Sequence, residues 1–195
     1  GYVVAATDYE GLGTPGVHPY LVARSEGRSV LDAARAARQL VEDASSRVVV
    51  LGGSQGGHAA LAAAALAAGG AEELDLVGTI AVAPAADVET IVNVSFTESP
   101  AFGFAALVAA SWPDHFPALA ADDVLTPAGV RLAERAAEEL CVNEVFREVA
   151  SSTGPMVATP PNQLPAWHQQ MLDNTIRADE VAGPLLLVQG SADTI

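Results

Sequence analysis

The motif Gly-Gly-Ser-Gln-Gly-Gly-His at residues 52–58 constrains this chain more than any other stretch. A β-branched apolar run at residues 48–51 precedes it, and an alanine-rich segment at residues 59–68 follows it, which predicts a strand, a sharp turn and a helix. The glycines on both sides of the serine lack a Cβ, so the turn can bend tightly. Ser54 is thus predicted to lie exposed at the apex, as a nucleophile does. The alternative is an ordinary loop in a chain rich in glycine and alanine.

Composition favours one globular domain and excludes several classes of partner. The chain has 195 residues, and half of them are apolar, which is enough for a sizeable core. The formal net charge is −15 and no lysine occurs, which argues against binding to nucleic acid or to an anionic membrane surface. No apolar stretch is long enough to span a membrane. Cys141 is the single cysteine, so an internal disulfide is excluded.

Both ends of the sequence favour a piece of a longer protein. The chain opens inside the apolar run of residues 1–6, without an initiator methionine, and it stops at Ile195 soon after another strand-like run. The lack of a targeting segment therefore carries no information about secretion.

Four apolar runs predict the strands of a parallel sheet. Residues 2–7 are apolar along nearly their whole length, as expected for a strand covered on both faces. Similar runs occupy residues 47–51, 76–84 and 184–189. Helical patterns separate the first three runs, so the order indicates parallel strands joined by crossover helices.

The segments between these runs predict one long loop and two helices. Residues 9–20 are rich in glycine and proline and form a loop at the carboxyl end of the first run, where open α/β sheets bind ligands. A capping pattern at Ser29 predicts a helix to about residue 42, with an earlier start near Leu21 as the alternative, since Gly27 is the only breaker. The helix after the serine is predicted to close at residues 69–70, two glycines.

The alternation breaks after residue 84. From residue 85 to about 181 there is no strand-like run, and we interpret this part as a helical cap inserted over the sheet. The predicted domains are a core at residues 1–84 and 182–195 and a cap at residues 85–181. Helices are expected within the cap at residues 101–112, 127–150 and 165–175.

An aspartate after the last run fits the acid of a catalytic triad. Serine is a weak nucleophile until a base takes its proton and a carboxylate orients that base. In α/β-hydrolases the chain order is serine, acid, histidine, and the acid follows a later strand. Asp193 has this position, in the turn of residues 190–193. The alternative is an aspartate that only caps a turn.

No histidine in this sequence has the position expected for the base, because all four precede Asp193. His58 follows the serine on a helix that runs back beneath the turn, so it is predicted to be packed or capping. His18 lies in the loop and is a weak candidate, and His115 and His168 are expected to belong to the cap. We therefore expect the base beyond Ile195 and expect these 195 residues alone to be inactive.

The oxyanion of an acyl-transfer intermediate needs hydrogen-bond donors. The backbone N–H of Gln55, directly after the nucleophile, is predicted to be one of them. A second donor usually comes from another loop at the carboxyl edge of the sheet.

Three stretches of this chain resemble the secretory lipase family typified by fungal lipase A, in a bacterial form. They are GYVV with DYEG at residues 1–11, EG with LD at residues 26–32, and the motif at residues 52–58. The resemblance is dense over residues 1–84 and 184–193 and loose through the cap.

The resemblance implies an α/β-hydrolase with a helical cap, truncated here at both ends, which is secreted and cleaves triacylglycerols and related esters without a metal or organic cofactor. By position, Ser54 matches the nucleophile, Asp193 the acid, and Asp8 with Gln55 the oxyanion donors. Asp8 has an alternative interpretation as a loop aspartate that bonds nearby backbone.

Further residues are candidates for substrate binding. Tyr9 lies in the loop expected to line the site, and Phe102, Phe104 and Trp112 are proposed as an acyl-binding wall, although ordinary cap core explains them equally well. The expected partner is a small-molecule or lipid ester, with transient contact to a lipid interface. Neither nucleic acid nor a protein partner is expected.

Two other functions use the same scaffold. An acyltransferase or a peptidase would need the same triad. A catalytically inactive α/β-hydrolase that serves as a binding module is the alternative from outside enzymes.

Overall fold

The computed structural model describes residues 1–97 and 101–193. The chain divides into two compact units. The first, here called the sheet unit, contains residues 1–13, residues 21–86 and the described residues from Thr175 onward. The second, the helical unit, contains residues 14–20 and 87–174.

The sheet unit is built on three parallel strands. They are β1 (Arg47–Gly53), β2 (Asp75–Val82) and β3 (Leu185–Val188), in the spatial order β1-β2-β3. Three of the four predicted strands are thereby confirmed, and each is rich in β-branched residues or leucine, which favour strands. Since all three strands point the same way, their carboxyl ends lie along one edge of the sheet.

Two helices of the sheet unit pack closely on each other: α1 (Ala23–Leu40) and α2 (Gln55–Gly70). The predicted start of α1 at Ser29 is wrong, and the earlier start near Leu21 is the better prediction. Gly27 does not break the helix, because it is the point of close approach: a Cβ there would lie 2.8 Å from the carbonyl carbon of Ala62. The Ser29 hydroxyl donates to Ser25 O within the helix instead of capping it.

Alanine lets α2 be buried along most of its length. Residues 57–64 are all buried, and Ala63 packs in a core with Leu31, Ala71 and Leu74. Small side chains let the helix pack close to its neighbours, which buries apolar surface.

The predicted strand at residues 2–7 is wrong. No regular structure forms there, and the side chain of Tyr2 is 98% exposed and that of Val4 88% exposed. A strand is held by hydrogen bonds to a neighbouring backbone. None of the described strands pairs with these residues. The apolar pattern indicates that these residues could form a strand. It does not determine whether another strand lies beside them to accept their hydrogen bonds.

The helical unit contains no strand among the described residues, only an isolated antiparallel bridge between Leu125 and Val157. The predicted helix at residues 127–150 is two helices, because Cys141 begins a new one: its backbone N–H donates to Glu144 Oε2 at 2.8 Å. A helix that the sequence analysis missed starts at Val88, and Asp87 caps it by accepting from the N–H of Thr90 at 3.0 Å. The helices are α3 (Val88–Thr97), α4 (Phe102–His115), α5 (Ala121–Val124), α6 (Pro127–Glu138), α7 (Val142–Ser151) and α8 (Pro165–Asn174).

Aromatic side chains form the centre of the helical unit. Trp112 is fully buried and stacks on Trp167, with ring centroids 5.9 Å apart. Its indole N–H donates to the carbonyl oxygen of Tyr20 at 2.9 Å. In the part of the chain that the structure describes, no single helix has the length and apolar character needed to cross a membrane, and only the bent pair α3 and α4 meets both conditions together.

Candidate active site

Ser54 occupies a strained turn between β1 and α2. Its backbone has φ 54° and ψ −119°, a combination that only glycine adopts easily. Gly53 ends the strand and Gln55 begins the helix, so one residue makes the whole reversal. The predicted order of strand, sharp turn and helix is confirmed, and the Ser54 side chain is exposed at the apex.

Backbone hydrogen bonds hold this strained residue in place. The N–H of Ser54 donates to the carbonyl of Val82 at 2.9 Å, and its carbonyl accepts from Ala85 at 3.1 Å and from His58 at 3.1 Å. Strained backbone of this kind costs about 1–3 kcal/mol and persists only where its surroundings determine it. These three bonds tie the turn to β2, to the segment after β2 and to the first turn of α2.

Two glycines leave room for the turn. A Cβ on Gly52 would overlap the carbonyl group of Gly56, and a Cβ on Gly57 would lie 2.9 Å from Pro84 Cα. The glycines predicted to permit a tight bend therefore do so through close backbone approach.

Asp193 follows β3 in a short turn. Its N–H donates to Gly190 O at 3.2 Å, and its carboxylate accepts from the side-chain amide of Gln189 at 2.7 Å. Since β1 and β3 are both parallel to β2, Ser54 and Asp193 both come after the carboxyl end of a strand. They therefore belong to the same edge of the sheet, on either side of β2.

A buried carboxylate beneath the turn was missed by the sequence analysis. Glu26, in the first turn of α1, and His58, in the first turn of α2, are both fully buried, and His58 Nδ1 lies 2.7 Å from Glu26 Oε2. The other carboxylate oxygen accepts from the side chain of Gln55 at 2.8 Å and from the N–H of Leu21 at 3.0 Å. The available signal was the position of Glu26 one turn before Val30, on the apolar stripe of α1.

Tyr9 lies beside the first turn of α2. Its hydroxyl oxygen is 3.9 Å from the point where a Cβ on Gly56 would be. Burial, and then the negative charge of Glu26, raise the pKa of Tyr9 to about 12. The phenol therefore stays protonated at neutral pH and can donate a hydrogen bond.

The loop that contains Asp8 is joined to α1. Asp8 itself is exposed. Two residues further on, Glu10 Oε2 accepts a hydrogen bond from the Ser25 hydroxyl at 2.6 Å. The N–H of Leu12 donates to the carbonyl of Tyr9 at 3.1 Å and closes a turn within the loop.

The contacts of the histidines agree with the interpretation of His58 as a packed residue. The other three belong to the helical unit. There the ring of His18 meets that of Tyr20 edge-on, and Nε2 of His168 lies 2.8 Å from Glu89 Oε1. Nδ1 of His115 lies 3.1 Å from the carbonyl oxygen of Ser111. A base after Ile195 stays a prediction.

The aromatic residues proposed as an acyl-binding wall also belong to the helical unit. Phe102 is buried and meets Phe96 edge-on, and the rings of Phe104 and Phe146 are 4.8 Å apart. Trp112 is part of the tryptophan stack described above. These contacts give each ring a partner within the unit, and an acyl-binding role stays a prediction.

Among residues 1–97 and 101–193, no cluster of three or more His, Cys, Asp or Glu side chains has a geometry that could hold a metal ion.

Comparison with solved structures identifies the fold. The esterase LipA of Xanthomonas oryzae, described as degrading the rice cell wall, superposes with a TM-score of 0.81 at 22% identity, over 95% of this chain and 55% of its own. Lipase A of Candida antarctica superposes with a TM-score of 0.69 at 20% identity, over 88% of this chain and 42% of its own. A putative hydrolase from Legionella pneumophila gives 0.70 at 20% identity, over 97% and 55%. The chain thus spans about half the length of the solved structures that it matches.

These superpositions confirm the predicted α/β-hydrolase fold, with a parallel sheet flanked by helices. No curated protein matches the sequence. The sequence model of the family described as secretory lipase, however, matches residues 1–195, which is the whole chain. The resemblance inferred from the motifs is therefore confirmed, and this chain belongs to the secretory lipase family.

Proposed function

We propose that this protein is a serine hydrolase of carboxylic esters, of the lipase and esterase kind. The observation that carries the proposal is the backbone of Ser54, a residue with a Cβ held at φ 54° with its side chain exposed. A strained and exposed serine between a parallel strand and a helix is typical of a nucleophile. Membership of the secretory lipase family supports the same chemistry.

The proposed reaction proceeds through an acyl-enzyme. Ser54 Oγ attacks the carbonyl carbon of the ester while its proton passes to a histidine predicted to follow Ile195. Asp193 orients that imidazole and stabilises its positive charge. The histidine then gives the proton to the leaving alcohol, and a water molecule hydrolyses the acyl-enzyme by the same steps in reverse order. Free acid and free Ser54 result.

Two backbone segments are proposed to bind the oxyanion. Gln55 is the first residue of α2, where backbone N–H groups point out of the helix end and the helix dipole favours negative charge. The loop at Asp8 is the proposed second donor. Tyr9 follows Asp8 in that loop and lies beside the first turn of α2, and its protonated hydroxyl is proposed to contact the substrate.

The proposed substrate is a small-molecule or lipid ester, including triacylglycerols, with Phe102, Phe104 and Trp112 as the acyl-binding wall. Transient contact with a lipid interface accompanies this proposal. The reaction as written needs no metal or organic cofactor. The description of the family as secretory supports a secreted protein.

The test replaces the nucleophile in the complete protein. Ser54→Ala is expected to abolish hydrolysis of p-nitrophenyl butyrate and of tributyrin, and to abolish covalent labelling by a fluorophosphonate probe. The matched control is Ser151→Ala, because the Ser151 hydroxyl bonds the carbonyl of Glu148 inside α7 and lies in the helical unit. The control should keep wild-type turnover and labelling.

Two results would contradict the proposal. Unchanged turnover in Ser54→Ala would remove the nucleophile assignment. A wild-type protein that neither hydrolyses esters nor reacts with the probe would favour an inactive binding module. Product analysis with water, an alcohol and an amine as competing acceptors tests for hydrolysis, and a dominant transfer product would make the enzyme an acyltransferase.

A further inference from the structure

The first turn of α1 contacts both segments proposed to bind the oxyanion. Ser25 and Glu26 are consecutive residues there, and their side chains reach in different directions. Ser25 bonds Glu10, in the loop of Asp8, at 2.6 Å. Glu26 bonds the side chain of Gln55, the first residue of α2, at 2.8 Å. One helical turn therefore connects the two proposed donors.

The contact made by Glu26 is completely buried. Its carboxylate bonds the ring of His58, the side-chain amide of Gln55 and the N–H of Leu21. Leu21 is a non-glycine residue at φ 55°, so this bond also fixes a strained backbone just before α1. The partners on α2 lie one and four residues after Ser54. The position of the nucleophile turn relative to α1 is thus fixed through hydrogen bonds of defined length and direction.

Stability alone gives no reason for a carboxylate at position 26. Burying a charged group costs free energy that its hydrogen bonds offset at best, and apolar side chains of similar volume are often neutral or stabilising replacements. Hydrogen bonds have a preferred length and angle, so they fix the relative position of two elements more strictly than apolar packing does. After burial, the charge of Glu26 is the second cause that raises the pKa of Tyr9, so this charge acts on the same loop that Ser25 binds.

We propose that Ser25 and Glu26 are positioning residues that hold the two oxyanion donors of this enzyme at a fixed separation. Glu26 sets the position of Gln55 and the start of α2, and Ser25 sets the position of the loop at Asp8 through Glu10. Neither side chain touches the substrate. The inference rests on the proposed function, because it assigns a role to these residues in that same reaction.

The test compares four variants of the complete protein: Glu26→Leu, Glu26→Gln, Gln55→Leu and Ser25→Ala. Glu26→Gln is the conservative variant, because its amide oxygen can still accept from Leu21 and Gln55. Saturating fluorophosphonate labelling counts the competent sites, and kcat for p-nitrophenyl butyrate is divided by that count. A purely structural role would lower the count or the stability and leave kcat per site unchanged.

In Glu26→Leu and Gln55→Leu, kcat per labelled site is expected to fall about 10- to 100-fold with KM changed less than about 3-fold, because misplaced donors act on the transition state. Glu26→Gln should retain kcat within about 5-fold of the wild type, and Ser25→Ala should lose about 3- to 10-fold. The controls are Ser29→Ala, whose hydroxyl bonds a backbone carbonyl within α1, and Glu73→Gln, an exposed carboxylate that binds Arg35. Both should keep wild-type kcat.

Three results would overturn the inference. The first is an unchanged kcat per labelled site in both Gln55→Leu and Ser25→Ala. These two variants test the inference even if Glu26→Leu fails to fold. The second is an equal fall in kcat per labelled site in Glu26→Leu and Glu26→Gln. That result would show that activity depends on the charge of Glu26 and not on its hydrogen bonds. The third is a wild type with no esterase activity and no labelling, which would remove the proposed function as well. Wild-type activity with unaffected variants removes only the positioning role.

Discussion

The backbone N–H of Ser54 donates to the carbonyl of Val82 at 2.9 Å, which joins the apex of the nucleophile turn to the last residue of the neighbouring strand. The bond continues the ladder between β1 and β2 by one residue beyond Gly53, whose partner is also Val82. The sheet therefore pins the strained residue at the point where the chain leaves it. Strain stored in this way should be measurable as a cost in stability.

Replacement of Ser54 by glycine is expected to stabilise the protein while it abolishes activity. Glycine adopts φ 54° and ψ −119° without a clash, whereas any residue with a Cβ pays for that conformation. Ser54→Gly should therefore be more stable than Ser54→Ala by about 1 kcal/mol in urea unfolding. Ser54→Ala is the matched control, since both variants lack the hydroxyl. Equal stability of the two variants would show that the turn is not strained.

Gly52 is expected to tolerate no side chain. A Cβ there would overlap the carbonyl group of Gly56, so Gly52→Ala must move the start of α2 away from β1. We expect a loss of about 1–3 kcal/mol in the free energy of unfolding, together with a loss of esterase activity. Gly69→Ala is the control, because nothing lies within 4 Å of a Cβ at that position in α2. It should leave activity unchanged and raise stability by up to about 1 kcal/mol, since alanine is the better helix former.

The sequence predicts those parts of the fold that depend on local pattern. Runs rich in β-branched residues and leucine predict the positions of β1, β2 and β3. The expected cover on both faces is wrong for β3, because all four of its residues are exposed among the described part of the chain. The same pattern at residues 2–7 predicts a strand wrongly, since pairing depends on a neighbouring backbone that composition does not reveal. The start of α1 was ambiguous because Gly27 breaks helices in isolation. Its contact with Ala62, which is a tertiary feature, makes glycine suitable there.

The candidate site divides in the same way. Ser54, Gln55 and Asp193 follow from motifs that span a few residues, and the structure gives the first two the local geometry that those motifs predict. Glu26 and His58 are 32 residues apart, and their pairing depends on how α1 packs against α2. In the sequence, the sign of this buried contact is the position of Glu26 on the apolar side of a predicted helix. Its partner could not be read from the sequence.

Tyr9 is expected to make the stability of the protein depend on pH in the alkaline range. Burial, and then the charge of Glu26, raise its pKa from the ordinary 10.0 to about 12 in the folded state, so the folded protein holds a proton that the unfolded chain releases. The contribution of the protonated Tyr9 side chain to the free energy of unfolding is fully present below pH 10 and is lost as the pH rises toward 12. In Tyr9→Phe, the free energy of unfolding measured in urea should fall less between pH 10 and pH 12 than it does in the wild type. Tyr2→Phe, which removes a side chain that is 98% exposed, should leave it in place.

Asp193→Asn tests the acid of the proposed triad without disturbing the fold. The side chain is exposed, and the hydrogen bond that it accepts from Gln189 can be kept by the asparagine oxygen, so the free energy of unfolding should change by less than about 0.5 kcal/mol. An amide cannot hold the imidazole of the base in the required tautomer, so kcat should fall by about 10⁴-fold. The control Asp179→Asn changes an exposed aspartate in the turn before β3 and should keep full activity. Wild-type kcat in Asp193→Asn would show that Asp193 only caps its turn, and the acid would then have to be sought elsewhere along the carboxyl edge of the sheet.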